Sequence, residues 1–267
     1  VKHFHYSELP STNDTAKEML RRELLPMVAV TTDLQTSGRG RNGKIWLGEP
    51  NANVYCSVAV RHTVSHTVSH TVRHTVQRTP LDLVVYQAIG CLAAKAAIQE
   101  VSKDAGFTPN ILLKYPNDVY IAYQVNTFHR KRRKISGVLV EHEFLGSECV
   151  ASVIGVGINV RQSVFPSDLQ EKASSLLLAG VDVSPENVSA ALMRYLEVFL
   201  KQSSEALFEA WRDELAIENA LLAIQGEQGL WRVQRLQEDG RLLVAHADTQ
   251  MQRFVDNGDS ILRADWL

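Results

Sequence analysis

Val54, Cys56, Val58 and Val60 take every second place in "NVYCSVAV". A period of two predicts a strand with one apolar face. "KHFHYSEL" and "MVAVTTDL" predict two strands before it, and "ILLKYP", "KISGVLVEHEF" and "CVASVIGVGINV" predict three after it. The last is apolar on both faces, as suits a central strand. Helical spacing fills the gaps. In "STNDTAKEMLRREL", Ser11 is placed as an N-cap and Asp14 lies three residues on, the spacing of a capping box. From Pro80, a favoured first helical residue, Leu81, Val84, Val85, Ala88, Ile89 and Leu92 form one stripe. A later helix has Ser184 as cap, Pro185 behind it, and a stripe of Val188, Ala191, Leu192, Tyr195, Leu196 and Phe199. "ALFEAWRDEL" continues helical.

After Ala216 the pattern changes. "NALLAIQ", "GLWRVQRLQ", "RLLVAHAD" and "MQRFVD" are short strands separated by "GEQG", "EDG" and "DNGD". That punctuation predicts a small antiparallel barrel. The chain therefore reads as α+β: residues 1–216 form a mixed or antiparallel sheet packed by helices, and residues 217–267 form an all-β module.

Composition adds exclusions. The 267 residues are 45% hydrophobic and 22% charged, with a formal net charge of −2. There is no global basic field of the kind that marks nucleic-acid binders. No apolar run looks long enough to span a bilayer, and "VKHFHYSELP" has no apolar signal region. Cys56, Cys91 and Cys149 are an odd, scattered set, which fits a reducing cytoplasm better than a disulfide framework. The segment "RHTVSHTVSHTVRHTVQR" repeats with period four at His62, His66, His70 and His74. Histidines so spaced share a face on a helix or a strand and could hold zinc or nickel. Thr and Val disfavour the helix, and no Cys or carboxylate stands nearby. The tract reads as a low-complexity expansion between strand and helix.

"TSGRGRNGKIW" concentrates the chemistry. Arg39, Arg41 and Lys44 are interleaved with Gly38, Gly40 and Gly43. Three nearby cations repel one another unless an anion joins them. The glycines let backbone N–H groups approach that anion, and arginine's planar fork suits phosphate or carboxylate. Such a loop is expected to order over its ligand. Further motifs accompany it: "STN" at Ser11, Thr12 and Asn13; "KYPNDVY" with Lys114, Asn117 and Asp118; "RKISGVLVE" with Lys134 and Gly137; and "GVGINV" with Gly155, Gly157 and Asn159.

In this order the motifs resemble those of the biotin protein ligases, over nearly the whole chain. The resemblance implies a class II synthetase-like catalytic domain followed by an SH3-like β-barrel. It implies ATP and biotin as substrates with Mg²⁺, and biotinyl-5′-AMP as the intermediate. The acceptor would be a lysine on the biotin carboxyl carrier protein domain of a biotin-dependent carboxylase. It assigns Ser11, Thr12, Asn13, Gln35, Gly38, Arg39, Gly40, Lys134 and Gly137 to biotin. It assigns Arg41, Lys44, Trp46, Asn117 and Asn159 to the nucleotide. Arg41 and Lys134 would be the catalytic pair, and Asp118 would either position Mg²⁺ or orient a lysine. With the pattern beginning at the first residues, the resemblance implies a monofunctional ligase without a DNA-binding domain. It involves no membrane and leaves a homodimer open.

The chain departs from the family at two places. "IAYQVNTFHRKRR" is a longer and more basic connection than usual, so Lys131 rivals Lys134. Tyr115 replaces a usual tryptophan, a change expected to matter little. Two rivals remain. A lipoate ligase or octanoyl transferase would show "RR.SGGG" where this chain has "GRGRNG". A non-catalytic protein that holds biotin or its adenylate would share every motif.

Overall fold

The computed structural model describes residues 1–62, 79–126, 129–256 and 261–263. Seven strands form one mixed sheet: β1 (Lys2–Tyr6), β2 (Met27–Thr32), β3 (Asn53–Arg61), β4 (Asn110–Lys114), β5 (Asp118–Asn126), β6 (His129–Leu145) and β7 (Glu148–Asn159). Their spatial order is β1-β2-β3-β7-β6-β5-β4. Only β1 and β2 pair in parallel.

The two faces of the sheet carry different cargo. On one, α1 (Thr12–Glu23) buries Ala16 and Leu20 against Val28, Val30, Ala59, Ala151 and Val153. On the other lies α2 (Pro80–Asp104), backed by α3 (Pro185–Phe199) and α4 (Ser204–Leu215). Thr79 and Asp82 form a full capping box at the start of α2, with Pro80 in the first turn. Ser184 accepts a hydrogen bond from Asn187 N at the start of α3. By length and apolar character, α2 does reach the scale of a bilayer span, against the reading of the sequence. Its apolar residues are instead packed among the sheet and two helices, among them Ala88, Ile89, Ala93, Ala97 and Ile98.

The capping box expected at α1 does not form. Ser11 has the extended backbone of an N-cap but makes no side-chain cap. Asp14 instead reaches Arg39, a partner from 25 positions along the chain.

Most of the long basic connection is strand, and Thr127 and Phe128 lie outside the described residues. β5 and β6 form a hairpin in which Tyr120 pairs with Lys134 and Tyr123 with Lys131. Alternation explains it. Val119 and Ile121 face inward on β5, Arg133 and Ile135 are buried on β6, and Arg133 is neutralised by Glu171. The charge run hid a strand because one of its cations is buried and paired.

Beyond α4, β8 (Leu221–Ile224), β9 (Trp231–Leu236), β10 (Leu242–His246), β11 (Gln252–Val255) and β12 (Ile261–Arg263) form a second, antiparallel sheet in the order β11-β10-β9-β8-β12. Trp211 and Leu215 of α4 share one buried cluster with Leu222 and Trp231 of this sheet. Tyr115, between β4 and β5, donates its hydroxyl hydrogen bond to Gly240 O between β9 and β10, at 2.6 Å. A tryptophan there has no hydroxyl, so the Tyr115 substitution carries a tie that the sequence did not suggest. Tyr115→Phe should lower stability by about 1 kcal/mol, the net value of one such bond. Denaturant melts would check it, and an unchanged midpoint would mean the bond adds nothing.

Of the histidine repeat, His66, His70 and His74 lie outside the described residues. His62 is buried, with Nε2 2.8 Å from Ser152 Oγ. All three cysteines are free and buried, and burial pushes the Cys56 and Cys91 thiols up to about 12. Cys56 and Cys91 are therefore poor nucleophiles near neutrality.

Candidate active site

β7 shows how the sheet makes room for a site. On the α1 face its residues run Ala151, Val153, Gly155, Gly157 and Asn159. The first two lie under α1. At Gly155 the cover passes to the side chain of Asn13, whose Oδ1 would stand 2.1 Å from any added Cβ. At Gly157 it passes to the Trp46 ring, 2.7 Å from where a Cβ would be. Gly137 pairs with Gly157 across β6 and β7, and the same ring lies above it. Glycine is needed here for close approach, because another atom occupies the space of a side chain. Around this floor opens a cavity of about 680 Å³, a usual size for a small-molecule site.

One end of the cavity is neutral and polar. Ser11, Thr12 and Asn13, at the start of α1, line it together with Gln35. Gln35 Oε1 accepts from Thr12 N at 2.8 Å. Ser57, fully buried on β3, has its Oγ 2.6 Å from Asn13 Oδ1 and 2.7 Å from Thr12 Oγ1. Asn13 Oδ1 and Gln35 Oε1 can only accept, so the Ser57 proton goes to Asn13 and the Thr12 hydroxyl proton to Gln35, 3.0 Å away, with Thr12 Oγ1 set beside Ser57. Asn13 Nδ2 donates to Glu141 Oε2 at 2.7 Å. Thr12, Asn13 and Gln35 are therefore each held in one orientation. Ser57 was missed in the sequence. Its signal was a lone hydroxyl in an apolar strand.

The Gly-Arg loop folds as a short hairpin over the cavity. Trp46 N donates to Gly38 O at 2.9 Å, and Gly40 N donates to Lys44 O at 2.6 Å. Gly38 does not line the cavity. It is buried under the Trp46 backbone, where a Cβ would come within 2.7 Å of the Trp46 carbonyl. Gly40, Arg41, Lys44 and Trp46 do line it. Arg39 reaches the rim but is already engaged: its NH1 and NH2 lie 2.6 and 2.7 Å from the Asp14 carboxylate. The anion that the loop called for at Arg39 is thus this chain's own. Hydrogen bonding to Arg39 holds the Asp14 carboxyl below its ordinary range, and the same bond raises Arg39.

Lys134 stands at the centre. Its Nζ is 2.5 Å from Asp118 Oδ1 and 5.4 Å from the centroid of the Trp46 ring. Lys131 points elsewhere and pairs with Glu171 at 3.6 Å, outside the cavity. The geometry therefore separates the two rival lysines. It also gives Asp118 a lysine to orient. Asn117 Nδ2 donates to Val138 O at 2.8 Å, and Asn159 Nδ2 to Ser174 O at 3.0 Å. Both asparagines line the cavity while bracing its wall.

A model of the biotin/lipoate A/B protein ligase family matches residues 6–159. The chain belongs to that family. The bifunctional ligase/repressor BirA of Bacillus subtilis is 30% identical over 174 residues, 64% of this chain and 45% of that protein. The biotin–[acetyl-CoA-carboxylase] ligase of Mycobacterium tuberculosis is 31% identical over 180 residues, 66% of this chain and 54% of that one. The chain thus spans about half the length of these relatives. The biotin protein ligase of Aquifex aeolicus in complex with biotin and ATP has the same fold, with a TM-score of 0.66 at 22% identity over 98% of this chain and 99% of that one. The Leishmania major enzyme in complex with biotinyl-5-AMP gives 0.59 at 22% identity, over 96% and 99%.

Two parts of this ligase-family site were not anticipated in the sequence. The segment after β7 brings Phe165, Asp168 and Lys172 to the cavity. It is tied to β6 by Lys134 N donating to Lys172 O and Ser174 N donating to Lys134 O, each at 2.9 Å. Ile261 and Leu262 of β12 supply another piece of wall. Neither segment carries a short motif, and both arrive from distant sequence. Among the described residues no three His, Cys, Asp or Glu side chains converge as a metal cluster.

Proposed function

We propose that the chain is a biotin protein ligase. It condenses biotin with MgATP to biotinyl-5′-AMP and pyrophosphate, then passes the biotinyl group to the amine of a lysine on a biotin carboxyl carrier domain, with AMP as the leaving group. The observation that carries this reading is Lys134, held by Asp118 beside Trp46, between a neutral polar end and a cationic loop. A ureido ring is neutral, with donors and an acceptor, and suits Ser11, Thr12, Asn13 and Gln35, which Ser57 braces from below. Its carboxylate would then lie toward Lys134, where the two anions of the first step must meet.

That step presses a carboxylate against an α-phosphate. Lys134 and Arg41 supply the positive charge as it builds up, from positions fixed before reaction. Asp118 aims the Lys134 ammonium. The Mg²⁺ enters with the phosphates of the nucleotide, which suits a cation that takes few protein carboxylates. Trp46 gives the adenylate a flat apolar cover and keeps water off the anhydride. No side chain needs to act as a nucleophile, so positioning and charge stabilisation carry the rate. Three buried thiols fit a cytoplasmic setting.

Pyrophosphate release tests the reading, with ATP and biotin, octanoate or lipoate as the acid. Biotin alone should support release, and label should then appear on an added carrier domain. Release with octanoate or lipoate instead would move the chain to the lipoate branch of the family. Binding of biotin without release under any condition would make it a holding protein.

A further inference from the structure

Arg39 is gripped from two sides. Its guanidinium makes two parallel hydrogen bonds to Asp14, and its NH2 lies 3.7 Å from Glu141 Oε1. Glu141 Oε2 in turn accepts from Asn13 Nδ2 at 2.7 Å and lies 3.1 Å from Lys17 Nζ. Two carboxylates and two cations balance one another, so the group needs no further anion. It joins three elements: α1, β6 and the Gly-Arg loop. Through Glu141 it also joins the loop to the asparagine of the polar end.

We propose that Asp14 and Glu141 are positioning residues, which hold the Gly-Arg loop down over the cavity through Arg39, and that this grip sets how long the acyl-adenylate is retained. The inference rests on the ligase reading for its consequence, but the grip itself does not. Arg39 sits one residue from Gly38 and Gly40, whose backbone bonds to Trp46 and Lys44 shape the hairpin. Whatever moves Arg39 moves Trp46, and Trp46 covers Gly137 and Gly157 on the cavity floor. Asp14 and Arg39 are about half exposed, with side-chain exposures of 52% and 41%. An exposed pair adds little to global stability. It can still govern a loop, because local opening draws on far smaller free energies than unfolding. Arg39 thereby becomes a handle on the lid and not a clamp on the substrate.

The test uses Asp14→Asn, Asp14→Glu and Arg39→Lys, in the full chain. Two readouts are taken beside thermal melts. Trypsin cleavage after Arg41 and Lys44, without substrates, reports loop opening. The ratio of released biotinyl-5′-AMP to adenylate formed reports retention. Asp14→Asn should raise both by about fivefold with an unchanged melt. Asp14→Glu should recover part of each, and Arg39→Lys, which keeps the charge beside Asp14 and Glu141 but loses the paired bonds, should raise both by less than Asp14→Asn does. Unchanged cleavage in Asp14→Asn would overturn the grip. An Arg39→Lys variant that resists trypsin like the parent yet loses adenylate would show that Arg39 touches substrate directly, and would overturn the positioning role. If the parent forms no adenylate at all, the ligase reading fails, and the trypsin arm still decides the grip on its own.

Discussion

Lys134→Ala is expected to slow biotin-dependent pyrophosphate release about a hundredfold or more. One preorganised electrostatic contact at a developing charge is typically worth on the order of 3 kcal/mol in the transition state. The structure adds a second effect that the sequence did not suggest. Lys134 and Asp118 are only 29% and 20% exposed, so alanine strands a half-buried carboxylate. Stability should fall by about 1–3 kcal/mol as well. Lys134→Arg separates the two effects. It keeps a cation on Asp118 and should restore the melt, while its larger planar head fits the reacting atoms poorly and leaves much of the rate loss. Lys131→Ala removes only a contact with the exposed Glu171 and should be nearly silent in both assays. If Lys131→Ala is crippled and Lys134→Ala is not, the assignment of the lysine is wrong.

Gly155→Ala should be the most damaging single methyl group in the site. The new Cβ would lie 2.1 Å from Asn13 Oδ1 and 2.9 Å from its Cγ. Asn13 has nowhere to retreat. It is buried between Ser57 Oγ at 2.6 Å and Glu141 Oε2 at 2.7 Å. Moving it breaks both bonds and leaves buried polar atoms unpaired, at a cost of about 2–4 kcal/mol. Biotin affinity, read by calorimetry, should drop at least about tenfold, because the polar end loses its fixed geometry. The double variant with Asn13→Ala discriminates. Removing the obstructed side chain should recover the melt but not the affinity. Parent-like affinity in Gly155→Ala alone would mean that Asn13 does not read the ligand.

What could be read in advance depended on how far each cause lay along the chain. The apolar alternation of β3, the two-faced apolar run of β7 and the stripes of α2 and α3 are local causes, and those elements followed from them directly. Gly137, Gly155 and Gly157 were visible as motifs, but what they admit was not. Trp46 and Asn13 come from other elements to fill those spaces. Asp14 shows the limit most clearly. Its spacing from Ser11 predicts a local cap, yet a bidentate arginine is a stronger partner than a backbone N–H, and the tertiary bond prevails. β5 and the first residues of β6 were lost for a related reason. A run of five basic residues reads as solvated, and nothing local reveals that Glu171 waits to neutralise Arg133. Ser57 and Ile261 were silent because single residues in ordinary strands carry no motif.

Ile261 and Leu262 have a bearing on timing. Protein synthesis runs from the amino end, and units fold as they emerge. A nascent chain that has completed all seven strands of the main sheet holds Lys134, Trp46 and the polar end, yet lacks the wall that β12 brings. Such a chain could gather substrates before it could enclose what it makes from them. A reactive acyl-adenylate formed at that stage would face the ribosome and its crowded surface lysines. Enclosure thus reaches the site later in synthesis than the residues placed to react. It also means that clipping the chain ahead of residue 261 would spare the sheet and open the site.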